Sequence, residues 1–561
     1  MVLKIFRIAP FLCLFFFYQS ISYSKTFDDK DLYNYFSALI SLEKNKNTES
    51  LKYFESSKEL KESHPSYIKK YLFSLVLSKK INKAIKELKT TKQKNFTDFF
   101  EAHLLLVLDS LKKGDYQQSL YHLNDLKKHS QDGTYEFIIS SLLEEYIYLF
   151  KEKKLKPILD DQLGQLSLIN KTLQNCYLGN HNTTENLFEN LINYNEEGAS
   201  RYLFFYANYL ISEKKYSKAK NIFKPVNPID NTLLTAQSKK WIDDKKYENF
   251  NSIFSCRNSN DVLGEFLFII SNLYAAEDEI EKSNFYFFLS NYFNSKFEFN
   301  LVLIVDNYFL IEEYEKAKKI LINFDKKNNI YYWYRIKKIA QIIKKDSGKD
   351  KSFKYIKSKF DQIEETTPKI LYEMANILKG FQKYDLSIKY YTELLSKLES
   401  GTVIYADVLY RRGGSYERIG NEKKADENLL KSLEINPDEP HVLNYLAYSW
   451  LERNYRIDDA IEMLERAYAQ RENDPYILDS IGWAYYLIGD YIKAEKLLRK
   501  AIQIMPNDPI VNDHYGDILW ELDMKMQASF FWKNALNFED TEKKMKEEIF
   551  YKLLNGPKKK I

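Results

Sequence analysis

Glycine and proline are scarce in this chain, at 16 and 12 of 561 residues. That scarcity argues against a turn-rich sheet architecture and for long helices. Cysteine is scarcer still, with only Cys13, Cys176 and Cys256, and no CxxC or Cys/His cluster suggests a metal. No sign of charge dominates: 83 Lys and Arg against 79 Asp and Glu leave a formal +4. The charges are dispersed, as on a solvated surface. No basic stripe of the kind nucleic acid requires is visible, so no nucleic-acid partner is expected. The seven histidines (64, 103, 122, 129, 181, 441, 514) are scattered, none at i, i+4 from another or from a suitable Cys. His514 keeps the most acidic company, with Asp513 beside it and Asp517 three residues on, and an ordinary helix-surface role is expected for it. No glycine-rich phosphate loop precedes a Lys-Ser/Thr pair, and neither GxSxG nor HExxH occurs. The expectation is no catalytic residue, no metal, no cofactor and no enzyme.

Long apolar runs are absent beyond the first twenty-odd residues. Lys4 and Arg7 precede an apolar stretch over 8–17, and Ser22-Tyr23-Ser24 place small residues before Lys25. Residues 1–24 therefore read as a signal peptide, too short in its apolar part to span a bilayer comfortably. A retained anchor is the alternative. Cys13 follows Phe11-Leu12 inside the apolar stretch, which speaks against a lipidation site. The expectation is an exported, periplasmic protein with no transmembrane segment after cleavage.

What the chain does have is aromatics, 45 Tyr and 37 Phe, and a period. Residues 475–508 form a 34-residue unit of two amphipathic helical patterns joined at Gly489-Asp490. Gly413, Ala447, Gly482 and Gly516 recur at intervals of 34, 35 and 34; Ala425, Ala460, Ala494 and Ala528 recur at 35, 34 and 34. Such a period marks a repeat architecture, in which each unit is one helical hairpin. Upstream the same hairpin recurs in degraded form, a small residue followed four later by a bulky one. The pairs are Ser50 and Phe54, Ala84 and Leu88, Ser119 and Leu123, Ala219 and Phe223, Ser283 and Phe287, Ala317 and Leu321, and Ser387 and Tyr391. The small residue sits where two helices cross closely, the large one a turn later. Cys176 and Cys256 lie about two repeats apart; regular stacking at ~10 Å per helix layer puts them roughly 20 Å apart, too far for a disulfide, and two free buried thiols are expected.

The small residues Gly482, Ala494 and Ala501, and Gly516, Ala528 and Ala535, resemble those of the tetratricopeptide repeat (TPR). The resemblance is strong over 406–542 and weak over 31–399. It implies an all-α, right-handed TPR superhelix of about a dozen antiparallel helix pairs. The expected organisation is a signal peptide (1–24), degenerate repeats (25–400, with a bend near 157–198), four well-formed repeats (406–542), and a capping helix with a basic tail (543–561). The runs around Trp450, Trp483 and Trp520 are similar to exported proteobacterial TPR proteins. That group includes a lipoprotein adaptor of a periplasmic carboxyl-terminal processing protease.

In the TPR family the first helix of each pair lines a concave groove. Carried onto this chain, the groove positions are Tyr410, Asn444, Tyr448, Tyr476, Asp479, Trp483, Tyr486, Asp513, Asp517 and Trp520. Aromatics among carboxylates suit a peptide, with the rings as anchors and the acids rejecting anionic segments. The alternative for Trp483 and Trp520 is packing between helices. The functional expectation is a periplasmic scaffold or adaptor with a protein partner, either a processing protease or an envelope-assembly protein. The alternative is a structural component of an outer-membrane or polysaccharide export system.

Overall fold

The computed structural model describes residues 28–157, 164–194, 196–324, 326–539 and 541–558. The leader lies outside these residues, as do Lys559 and Lys560 of the basic tail. The described residues contain thirty α-helices and no strand.

The helices come in antiparallel hairpins, whose two helices cross closely through small residues. In three of the C-terminal repeats a glycine of the first helix lies under a bulky side chain of the second, sixteen residues on: Gly413 under Leu429, Gly482 under Leu498 and Gly516 under Trp532. A Cβ on Gly482 would lie 2.5 Å from Leu498 Cδ1, and one on Gly516 would lie 2.4 Å from Trp532 Nε1. Only glycine leaves room for side chains this close. In several of the degenerate repeats the crossing is closed by serine instead. Ser50 Oγ donates to the Ala38 carbonyl (2.9 Å), Ser352 to Ala340 (2.7 Å) and Ser387 to Ala375 (2.9 Å). Ser271 donates in the opposite sense, to the Ser283 carbonyl at 2.7 Å. All these serines are buried. The hydroxyl thus fits a volume made for alanine while satisfying the hydrogen bond that its burial requires.

The connecting turns share a second constraint. Each holds one residue in the left-handed region: Gly114 (φ 73°), Gly420 (74°) and Gly489 (84°), but also Lys79 (61°), Glu312 (58°) and Gln382 (57°). The following amide returns to the helix, as from Asp490 N to the Tyr485 carbonyl (2.9 Å) and from Lys383 N to that of Leu378 (2.9 Å). This is the Schellman closure of a helix C-terminus, for which glycine is the unstrained residue; a side chain there costs roughly 1–2 kcal/mol.

Two compact units result. One comprises residues up to 216 together with 246–321; the other comprises 217–245 together with 322–561. In the first unit helices distant in sequence also meet. Phe73, in helix Pro65–Leu77, stacks on Phe285, in helix Ile280–Phe293, at 4.8 Å and 11°. Tyr292 hydroxyl donates to Asn82 Oδ1 at 2.8 Å, and Lys112 lies over the Tyr292 ring at 3.8 Å. In the second unit the segment 217–245 is held by Lys369, which donates to the carbonyls of Ile229 (2.9 Å) and Asn231 (2.8 Å).

The cysteine expectation is corrected here. Cys176 and Cys256 are joined by a disulfide, with Cα atoms 5.8 Å apart across 80 residues. Regular stacking fails as a ruler because the chain returns. The loop before helix Ser259–Ala276 comes back to the end of helix Gln165–Leu178. There the Arg257 guanidinium packs on Gly179 and donates to Glu213 at 3.0 Å. Glu213 also pairs with His181 at 3.2 Å.

A bridge closing so long a loop restricts the unfolded chain strongly. Cys176→Ser is expected to lower the unfolding free energy by about 2–4 kcal/mol in urea titration. Dithiothreitol should do the same to the wild type and nothing to the variant. A wild type whose Cys176 and Cys256 both react with a thiol reagent, when unfolded without reductant, would contradict the bridge.

Candidate functional site

The site is built on the first helices of the last three repeats, Pro440–Glu452, Pro475–Leu487 and Pro509–Glu521. Each begins with proline at its first turn, where the missing amide costs no hydrogen bond. Asp474 caps the second helix by accepting from Tyr476 N and Ile477 N, and Asp508 caps the third by accepting from Ile510 N and Val511 N. With the small crossing residues Ala447, Gly482 and Gly516 leaving the second helices close behind, one face of each first helix is left for other contacts. Helix Lys543–Asn555 lies along these residues and closes one side of a cleft of about 640 Å³. This helix was expected only as a cap. Its Ile549 is fully buried, Met545 and Leu553 pack on the same core, and Lys552 and Tyr551 line the cleft.

The wall of the cleft is an aromatic stack with acids around it. Trp483 lies parallel to His514 (4.0 Å, 13°) and to Tyr486 (4.8 Å, 18°), and Tyr448 approaches His514 at 6.3 Å. Trp483 Nε1 donates to Glu452 Oε1 at 3.1 Å. His514 Nδ1 lies 3.0 Å from Asp479 Oδ1, one repeat earlier. Burial opposes charge on His514, but the Asp479 carboxylate outweighs it and raises the imidazole above its ordinary pKa. Burial likewise raises the phenols of Tyr448 and Tyr486, so both remain neutral donors.

Opposite the stack, the Lys552 ammonium donates to Asp513 Oδ2 and Asp517 Oδ2, each at 2.7 Å. The remaining oxygen of Asp517 accepts from Trp532 Nε1 at 3.0 Å. Burial pushes Asp517 up to about 6, against the pull of Lys552. Asp513 Oδ1 is buried and has no hydrogen-bond partner among the described residues.

The ten sequence candidates therefore divide. Tyr448, Trp483, Tyr486, Asp513 and Asp517 line the cleft, and Asp479 supports it from behind through His514. Trp483 is only 3 % exposed, so it also packs between helices. Trp520 is held by Trp532 at 5.5 Å and by Gly556, where a Cβ would come within 2.6 Å of the indole. Tyr410 lines a separate, smaller cavity with Asp407, Arg411 and Glu439. Tyr476 is 63 % exposed at its helix start, and Asn444 is half-buried; neither lines the cleft. Glu452, Lys552 and Tyr551 also line the cleft and are not among those ten. The four-residue spacing of Met545, Ile549 and Leu553 was the available signal that this helix packs inward.

Comparison with known proteins bears on the repeats directly. Tetratricopeptide-repeat profiles match residues 406–439 and 475–508. These repeats are tetratricopeptide repeats. A TPR repeat-containing protein of Pseudomonas aeruginosa is 31 % identical over 139 residues, which is 25 % of this chain. The match spans only 22 % of that relative's length. Among solved structures, a thermophilic TPR protein of Thermus thermophilus is similar at 17 % identity and a TM-score of 0.30. It covers 34 % of this chain and all of the other. MamA of Desulfovibrio magneticus is similar at 17 % identity and a TM-score of 0.27, covering 31 % and 97 %. TPR arrays are interaction scaffolds, and protein partners are what they bind. No helix among the described residues is long and apolar enough to cross a membrane.

The buried imidazole gives a pH signature. A folded-state pKa raised above the unfolded value of about 6.5 stabilises fully below that pH, and this contribution is lost as pH rises through the raised value. Asp517, also raised, works in the same direction at lower pH. The wild type should therefore lose stability in urea titrations as pH rises above about 6.5, and His514→Gln should remove that slope. Equal slopes in both proteins would contradict the His514–Asp479 pairing.

Proposed function

We propose that this chain is an exported scaffold of the cell envelope, and that the cleft of its C-terminal TPR array takes a basic, amphipathic segment of a protein partner. The observation that carries this is the Lys552 contact. The cleft already holds one ammonium between two carboxylates, presented on a helix whose apolar side packs beside it. A partner segment of the same chemistry meets the acids and rings that remain: Glu547 and Glu548 on the rim, Tyr448 and Tyr486 within, and the unpaired Asp513 oxygen. Lys544 and Lys558 also line the cleft, but with Lys552 they are three cations against the five carboxylates of Glu452, Asp513, Asp517, Glu547 and Glu548; cation–π contact and this balance favour lysine or arginine there over an acidic segment.

Two features support export. The leader has the charge, length and small-residue pattern of a signal peptide. The Cys176–Cys256 bridge belongs to oxidising compartments. A periplasmic adaptor role, presenting substrates to a processing protease, rests on the resemblance to the exported TPR adaptors. A role in an outer-membrane or polysaccharide export assembly is the second reading. The contacts between helices distant in sequence within the first unit favour it, since they make that unit a packed body in its own right. Both readings make the chain a binding protein rather than an enzyme.

The test is an array of immobilised helical peptides graded in charge. Peptides bearing Lys or Arg on one face should bind the full chain at least tenfold more tightly than their Glu counterparts. Glu547→Lys with Glu548→Lys, both exposed, should weaken that binding without loss of helix content. Acidic peptides binding equally well, or binding untouched by the double reversal, would overturn the cleft assignment. Recovery of the chain only from the cytoplasmic fraction would overturn export.

A further inference from the structure

The first unit holds three side chains that no helical spacing connects. Asp98 lies two residues before helix Phe100–Lys112, His103 lies in its first turn, and His129 follows helix Tyr116–Lys127. An antiparallel hairpin brings the start of its first helix beside the end of its second, and that places all three together. His103 Nε2 and His129 Nε2 each lie 2.9 Å from the same oxygen, Asp98 Oδ1. The two rings are nearly parallel, with centroids 5.5 Å apart at 15°. The three donor atoms lie within 4.8 Å of one another.

Burial fixes which atoms are offered. His103 is largely enclosed, its Nδ1 buried away from solvent, so that only Nε2 faces the shared point. His129 is intermediate, and Asp98 is open to water at 59 % side-chain exposure. Two imidazole nitrogens and one carboxylate oxygen form a donor set suited to a borderline divalent ion. Tetrahedral zinc with bonds of ~2.1 Å needs donors roughly 3.4 Å apart, a separation these side chains reach by moves of about an ångström or less. A solvent-facing carboxylate leaves the fourth position for water.

We propose that Asp98, His103 and His129 form a binding site for one divalent transition ion of the zinc class, clamping the open end of this hairpin. The ion takes the place of the Nε2 protons that now point at Asp98. Its role is structural: it ties residue 98 to residue 129 across the hairpin, and no reaction is assigned to it. The site is independent of the cleft in the second unit.

The experiment is calorimetric titration of the untagged, chelator-stripped full chain with Zn²⁺ alone, followed by thermal melts with and without the ion. One equivalent should bind, and the melting temperature should rise on binding. His103→Ala and His129→Ala should each abolish the one-equivalent phase, and Asp98→Asn should weaken it at least tenfold. His129→Gln guards against a folding defect, because its amide still reaches Asp98 by hydrogen bonding while the imidazole ligand is gone; it too should lose the ion. No binding by the wild type, one equivalent retained in His129→Gln, or several weak equivalents unaffected by every variant would each overturn the site.

Discussion

The structure depends on one constraint: within a hairpin, two helices must approach closely, so that a small residue of one lies directly against the other. Helix pairs gain most of their stability from packing, not from intrinsic propensity. A crossing held a fraction too wide would leave voids along every pair and lose dispersion contacts throughout. The chain meets this demand in two chemistries. Gly482 and Gly516 remove the side chain altogether, whereas Ser50, Ser352 and Ser387 keep a hydroxyl and donate it to the opposite backbone. Both give the same geometry.

The crossing also explains why a cleft exists. Because the second helices are pinned behind, the first helices of the last three repeats present a surface that the repeat itself does not fill. Its groups are held by contacts between repeats, Trp483 on His514 and His514 on Asp479, and by one within a repeat, Trp532 on Asp517. The helix Lys543–Asn555 supplies the counter-charge without which Asp513 and Asp517 would be two buried carboxylates near each other, an expensive arrangement. The proposed preference for a basic segment rests on carboxylates that this packing has already oriented.

The fold was legible wherever local chemistry matched the constraint. The glycine–alanine crossings and the Gly489 turn announce themselves by period. Upstream the same positions are filled by Ser at the crossing and by Lys79, Glu312 or Gln382 in the left-handed turn. Residues that bear the strain without advertising it erase the pattern while preserving the shape. The disulfide was misjudged because distance along a regular stack cannot register a chain that turns back, as it does before helix Ser259–Ala276. At the cleft, groove positions taken from the family located Tyr448, Trp483, Tyr486, Asp513 and Asp517. The partner groups were hidden because they come from elsewhere: Asp479 reaches His514 across 35 residues and Lys552 reaches Asp513 across 39. The Asp98–His103–His129 cluster escaped because a search at helical spacing cannot see two ends of a hairpin meeting.

The most direct test of the crossing constraint compares two glycines by urea unfolding. A methyl group at Gly516 would strike the buried Trp532 ring, whereas one at Gly380, at the end of its helix, meets nothing within 4 Å. Gly516→Ala should lose about 1–3 kcal/mol, the usual cost of overpacking, while Gly380→Ala should be neutral or stabilising by a few tenths. Equal stability of Gly516→Ala and wild type would show that the helices have slack at the crossing, and would contradict the account.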